Sequence, residues 1–570
     1  MPTVVGPEAA ILQLYTDKKL LVKKDYPALR KIFADRFEQQ HAEEIRQGLG
    51  ADHDDMQKWF AEHVDIKEEL FTAIDPAADK IPAVFQLFAE LKKQFPAKIV
   101  PYANLAIATA IVWDDDRRGV YDYGHHAKRC KAIEPTEVAA AVDNFKYLLE
   151  TEQYMQGRIQ FVPWEFLVYV VNHRTPLPER GWAMQNYLGK RVMFGSCYKD
   201  VPYDQEMLKS GSEVARLNDK PYTLPNLVQF GGVCAMQADF ASRVGKSIGV
   251  PAAYVRGESA NGGHHAWVMW VELKQATATG LVFTLESHGR YRGDKYYVGK
   301  LEDPHTGAPI TDRDMELRLQ TVGLDTIAKR QTAFVMQAYP KLCEDAQLDT
   351  AARLALLNQV IAASPGNEQA WTAAAALARE NASDKKLAKA FTGMLDRLFL
   401  TFARVPDFTW EVFADFAAFQ EDPKQKIKLY ERLVLLYEVA GRPDLGCEAR
   451  LALTDLLVEQ NRHGEAVEGL ALTIKKFPEE GRYVPKMLDK IDQVCVNLKD
   501  TDTALIQFYT EFLPLIPQMR MDTPSKYCME TFERAITLFK AKNQPQLAAF
   551  AEVELANMRA GKGRKPPRDK

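Results

Sequence analysis

The sequence predicts a multidomain α+β protein, with an α+β core between an all-α N-terminal region and an all-α helical-repeat C-terminal region. Three observations carry this prediction. Apolar residues at helical spacing run through residues 1–160 and return from 325 to 558. Between them, one amphipathic helix is followed by short runs rich in Val, Tyr and Trp, which read as strands. A chain of 570 residues is long enough for about three or four domains. The expected boundaries are a helical domain at 1–160, the core at 161–324, helical hairpins at 325–558 and a basic tail at 559–570.

In the N-terminal region Val84, Leu87, Phe88 and Leu91 keep the i, i+3, i+4, i+7 pattern of one helix face. Tyr102 to Trp113 is apolar around most of its circumference, which predicts a buried helix. Asp114-Asp115-Asp116 follows and lacks the alternation of a calcium loop, so it reads as a solvated helix end. His125-His126 has no partner at ligand spacing and reads as surface.

From Pro163 the character shifts. Trp164 to Val171 is an aromatic and β-branched run, broken by Thr175-Pro176-Leu177-Pro178. The segment up to residue 230 reads as the lead-in to a cleft. Arg174, Glu179, Arg180 and Trp182 are possible substrate contacts there, with ordinary packing the plainer reading.

The centre of the chain runs from Gly231 to Glu286. After Cys234, the residues Met236, Phe240, Val244 and Ile248 recur every four positions and form one helix stripe. Gly249 stands at the C-terminal cap and Pro251 stops any continuation. Cys234 is therefore expected in the first turn, where the helix dipole favours a thiolate. Ala252 to Arg256, His265 to Leu273 and Leu281 to Glu286 follow as strands, with Lys295 to Gly299 as a further one. A cysteine nucleophile needs a base, and the base an orienting acceptor. Cys234, His265 and Glu286 supply the three types in order. His264 precedes His265, and strand alternation puts the two rings on opposite faces. Asp294 is the alternative acid. Gly245-Lys246-Ser247 is not a phosphate loop, because Phe240 stands where that motif needs its first glycine.

Gly-Val-Cys and its helix, then Gly-Val-Pro-Ala, then His-Ala-Trp, together resemble the transglutaminase-like core, a circularly permuted relative of the papain-like cysteine proteases. The resemblance covers about 150 of the 570 residues. It implies that Cys234 is the nucleophile, His265 the base and Glu286 the orienting acid. The family carries Asp followed by Pro at the third position, where this chain has Glu286 and Ser287. Gln229 and the backbone N–H of Cys234 are the candidate oxyanion donors.

The C-terminal region is helical and punctuated. Leu354, Leu357 and Ile361 mark one helix, Ser364-Pro365-Gly366-Asn367 interrupts, and Trp371 to Ala378 begins its partner. Further breaks fall at Pro406, Pro423, Pro443, Gly464 and Pro478. Antiparallel helix pairs repeating at roughly 35–40 residues resemble a degenerate tetratricopeptide-type array. Such an array is a surface for a protein partner. Residues 561–570 hold five Lys or Arg with two Pro and read as a disordered tail.

Composition narrows the function class. A net charge of −4 argues against a nucleic-acid binder whose affinity rests on a basic face. The seven cysteines are scattered, odd in number and without a CxxC pair, which suggests neither disulfides nor a zinc site. No apolar run reaches membrane-spanning length, and residues 1–14 lack a signal-peptide pattern. The expectation is a cytoplasmic protein, or a secreted or periplasmic one whose signal has been removed. The expected chemistry is cysteine-dependent hydrolysis or acyl transfer on a peptide or protein substrate, with no cofactor and no metal. The alternative is an inactive relative acting as a protein-binding scaffold.

Overall fold

The structure is a computed structural model, and it describes residues 6–115, 121, 123–155, 158–259, 264–277, 280–288, 296–499, 501–520 and 523–564. Two compact units emerge. One comprises Met1–Gly257, His265–Arg290 and Val298–Ala374, and the other Glu258–His264, Tyr291–Tyr297 and Ala375–Lys570. The N-terminal helices and the α+β core thus share one unit. That unit runs on to Ala374, beyond the expected boundary at 324.

In the first unit, α1 (Ile81–Gln94) and α2 (Ala103–Val112) pack together, and α2 is buried from Leu105 onward, as its composition predicts. The acidic run after α2 is not a solvated end. Asp114 is buried and accepts from the Lys80 backbone N–H at 2.6 Å, and Asp115 pairs with the Lys80 ammonium at 2.7 Å. Asp116 lies outside the described residues. The β-branched run at 164–171 folds as helix α3 (Trp164–Val171), buried against α2. Contact with α2 outweighs the strand preference of its Val residues. Next comes α4 (Leu177–Tyr187), whose Glu179 and Arg180 are buried, so the packing reading holds for both.

A five-stranded sheet follows in the order β3-β2-β1-β4-β5, from β1 (Ala252–Ser259), β2 (His264–Thr277), β3 (Gly280–His288), β4 (Tyr296–Glu302) and β5 (Pro309–Thr311). Helices α5 (Leu224–Phe230) and α6 (Cys234–Ser247) precede it. Ala266, Val268 and Trp270 of β2 share a core with Phe240, Val244 and Ile248 of α6. The alternate residues face the other way. Among them, Trp267 is fully buried, and a Cβ at Gly257 or Gly299 would collide with its ring. Burying an indole of this kind contributes roughly 4–6 kcal/mol at about 25 cal/mol per Å².

The β2–β3 ladder is antiparallel, with Val268 opposite His288, Trp270 opposite Glu286 and Glu272 opposite Thr284, and its register shifts between Leu273 and Gln275. Residues 302–314 contain β5 and the start of α7 (Asp312–Leu324). Thr311 and Asp314 form a capping box that starts this helix. Then come α8 (Thr326–Asp345), α9 (Thr350–Ala363) and α10 (Glu368–Glu380).

The second unit is built of helix pairs. They open at α11 (Ala388–Thr401), α13 (Pro423–Val439), α15 (His463–Lys476) and α17 (Asp502–Phe512), and the second members of the first three are α12 (Asp407–Ala417), α14 (Pro443–Glu459) and α16 (Val484–Cys495). Successive pairs start 35, 40 and 39 residues apart, the expected repeat. Ion pairs recur in step with it: Arg379–Asp415, Asp396–Arg432, Glu438–Lys476 and Asp455–Lys490. Each is partly exposed and contributes little alone, but their spacing marks equivalent positions. Pro423 and Pro443 begin helices, where a missing N–H costs nothing. The core includes Leu470, Ile474, Met487, Ile491 and Phe512. Of the tail, Arg564 is anchored: its backbone N–H donates to Gln518 Oε1 at 2.6 Å, and its guanidinium to the Pro514 carbonyl at 3.0 Å. Residues 565–570 lie outside the described residues.

Candidate active site around Cys234

Two glycines set the start of α6. Helix α5, capped by Thr223, ends at Gly231, whose φ of +88° suits glycine and few other residues. A Cβ there would strike the Pro202 carbonyl. The Gly232 N–H donates to the Pro202 carbonyl and the Asp204 N–H to the Gly232 carbonyl, each at 3.0 Å. Val233 then takes an extended conformation without a side-chain cap, and Cys234 is the first residue of α6. Gly249 ends the helix region at φ +74°, as expected.

Every residue of α6 after Cys234 is buried, whereas Cys234 is partly accessible. The sulfur therefore stands at the positive end of a helix dipole, where an anion is favoured. Burial pushes the thiols of Cys130 and Cys528 up to about 12 and raises those of Cys197, Cys343, Cys447 and Cys495. Lys246, late in α6, is buried and donates to the Tyr169 carbonyl at 2.7 Å, so it holds structure and not a phosphate.

Beneath Cys234 lies a polar network that residue spacing did not reveal. Tyr254 of β1 has its phenol pKa raised by burial and then by the charges of Cys234 and Asp239. Tyr121 stacks on Tyr254 at 5.8 Å, and His126 meets it edge-on at 5.0 Å. Tyr121 Oη and His126 Nε2 are 2.9 Å apart. His126 is thus a buried group and not a surface one. Burial, and then the neighbouring cations, hold its imidazole far below the usual range and keep it neutral. Asp239, on α6, accepts from Tyr222 at 2.9 Å and lies 3.6 Å from Arg243. No pattern at short spacing announces this cluster, because its members come from separate segments.

His265 lies on β2, half-buried, with its ring 6.1 Å from that of Trp267. Alternation places His264, which is exposed, on the side of Ala266, Val268 and Trp270. Glu286 is not brought to His265. It sits opposite Trp270, five positions along β2, which is about 17 Å at 3.3–3.4 Å per residue. Directly opposed residues also share a face, and Trp270 and His265 alternate onto different ones. The expected triad of Cys234, His265 and Glu286 therefore fails at its third member. Asp294 lies outside the described residues. Gln229 is exposed on α5, five positions before Cys234. Among the described residues, no group of three or more His, Cys, Asp or Glu is placed to hold a metal, and no helix is long and apolar enough to cross a membrane.

No protein-family model, curated protein or solved structure matches the chain.

Proposed function

We propose that this chain is a cysteine-dependent acyl-transfer enzyme of transglutaminase-like type, with Cys234 as nucleophile. The observation that carries the reading is the exposure of Cys234 alone at the head of an otherwise buried helix. The Cys234 thiolate attacks an amide carbonyl. A histidine at the start of β2 holds the proton and returns it to the leaving amine, so the C–N bond breaks and a thioester remains. Water then releases an acid, or a second amine takes the acyl group. His265 is the base in this reading because it is the half-buried member of the pair, and alternation makes His264 its competitor. The backbone N–H of Cys234, with Gln229 as a second donor, would stabilise the oxyanion.

The test is trapping. The native protein is incubated with a library of peptide amides and quenched with hydroxylamine, and hydroxamate products are read by mass. Hydroxamates that vanish in Cys234→Ala support the reading. A complete lack of Cys234-dependent product across the library removes it.

A scaffold reading has one observation in its favour. Leu400, Leu435 and Leu472 are exposed on the first helices of successive pairs, close to the repeat interval. Large apolar residues recurring on one kind of helix suit a protein partner. In that case Cys234→Ala leaves the protein's function intact, and Leu435→Lys abolishes it.

A further inference from the structure

The surroundings of Cys234 include an edge of β1 to which the acyl-transfer chemistry assigns no role. Tyr254 and Arg256 are two positions apart on this strand, so their side chains leave the same face, about 7 Å apart at 3.3–3.4 Å per residue. That face is turned to α6. Ala252, two positions before Tyr254, belongs to the core that Phe240 and Val244 build, and Tyr254 packs against the same core. Cys234 heads α6, and its charge acts on the Tyr254 phenol.

The fold leaves both polar groups unused. Among the described residues, neither the Tyr254 hydroxyl nor the Arg256 guanidinium makes a hydrogen bond or an ion pair. Arg256 is exposed and Tyr254 partly accessible, so both can meet a ligand. Burial raises the phenol pKa, so Tyr254 keeps its proton and remains a donor. Its ring is already fixed by Tyr121 and His126. A second positive charge stands close by. Arg129 is exposed at the end of the short helix Gly124–Arg129, its Nε donating to Ser212 Oγ at 3.2 Å, and it acts together with Arg256 on both Tyr254 and His126.

The nearby acids do not neutralise this pair. Asp239 accepts from Tyr222 and faces Arg243. Asp204 accepts from the Met207 and Arg216 N–H groups at 3.1 and 2.9 Å and lies 3.7 Å from the Arg216 side chain. Glu258, the next residue on the face of Arg256, makes no ion pair among the described residues. It would disfavour a multiply charged group such as a phosphate. A guanidinium fork beside a phenol O–H suits a single carboxylate.

We infer that the amide substrate of Cys234 carries a carboxylate beside the scissile bond, held by the Arg256 guanidinium and the Tyr254 hydroxyl. This rests on Cys234 being the nucleophile.

The experiment compares two alkylating agents on the full chain at neutral pH, iodoacetate and the neutral iodoacetamide, with N-acetylcysteinamide as the free-thiol reference. The carboxylate of iodoacetate stands in for that of the substrate. The iodoacetate-to-iodoacetamide rate ratio at Cys234 should exceed that of the free thiol by about tenfold, as a local positive field concentrates the anion. Arg256→Gln should lower the ratio at least threefold through the iodoacetate rate alone, and Arg256→Lys should restore part of it. The wild-type ratio decides even where a variant fails to fold. A ratio equal to that of the free thiol, or one that a folded Arg256→Gln leaves unchanged, overturns the inference. Hydroxylamine trapping with peptide amides that differ only in Glu or Gln beside the scissile bond separates the two claims. Cys234-dependent hydroxamate formed equally from both peptides overturns the carboxylate preference and leaves the acyl-transfer reading standing. A high alkylation ratio with no hydroxamate from either peptide supports the carboxylate site and removes the acyl-transfer reading.

Discussion

Arg243 Nη2 lies 2.7 Å from Glu179 Oε2, with both side chains buried. The same oxygen accepts the Leu224 N–H at 2.7 Å. One carboxylate oxygen therefore ties α4 to the start of α5 and to the middle of α6, the helix that carries Cys234. Burial alone would lower the Arg243 pKa, but the charges of Glu179 and then Asp239 raise it instead. Glu179→Gln leaves a buried guanidinium short of charge and should cost about 3–5 kcal/mol in urea unfolding. A loss below about 1 kcal/mol would contradict this role.

His305 is the clearest source of pH dependence outside the Cys234 region. Its Nε2 lies 2.9 Å from Asp79. Burial lowers its pKa, but the hydrogen bond to Asp79 and that residue's charge outweigh burial, and the net shift is upward. A folded-state pKa above the unfolded value of about 6.5 means that protonation stabilises the fold. The contribution is complete below about pH 6.5 and is lost as pH rises through the folded value. The stability difference between wild type and His305→Gln should therefore shrink from about pH 6 to about pH 9. A difference that stays constant would count against the Asp79 contact.

Two glycines should respond oppositely to alanine. Gly299 faces the ring of Trp267 and the side chain of Val255 with no space for a methyl group, so Gly299→Ala should destabilise by about 1–3 kcal/mol. Gly393 lies inside α11 with nothing within 4 Å of its Cβ position. Gly393→Ala should stabilise by up to about 1 kcal/mol through helix propensity alone. Thermal melts of the two variants decide both.

Because Glu286 is opposite Trp270, it has no part in orienting His265. Glu286→Gln should leave the alkylation rate of Cys234 within about twofold of wild type. A fall of tenfold or more would mean that the β2–β3 register differs in solution.

Some of this was legible in the sequence. The four-residue stripe from Cys234 to Ile248, closed by Gly249 and Pro251, gave α6 almost to the residue, since cap and periodicity agreed. The strands were legible from Val, Tyr and Trp content. The pairing was not. Expected to end at Leu273, β2 runs to Thr277 with a register shift after Leu273, and a few added residues at the turn slide Glu286 along the ladder. Helix α3 was hidden because buried helices and strands share apolar runs, and only its neighbours decide between them. The Tyr121–His126–Tyr254 cluster was equally invisible, since burial is a property of tertiary structure.

Iodoacetamide alkylation of the native protein at pH 6, mapped by peptide mass, tests the central claim most directly. Cys495 is the internal control, as the other partly accessible cysteine among the seven. The account predicts that Cys234 reacts at least tenfold faster than Cys495, and that this advantage falls in His265→Ala or in His264→Ala, whichever supplies the base. Alkylation of Cys234 no faster than that of Cys495 would contradict a nucleophilic role.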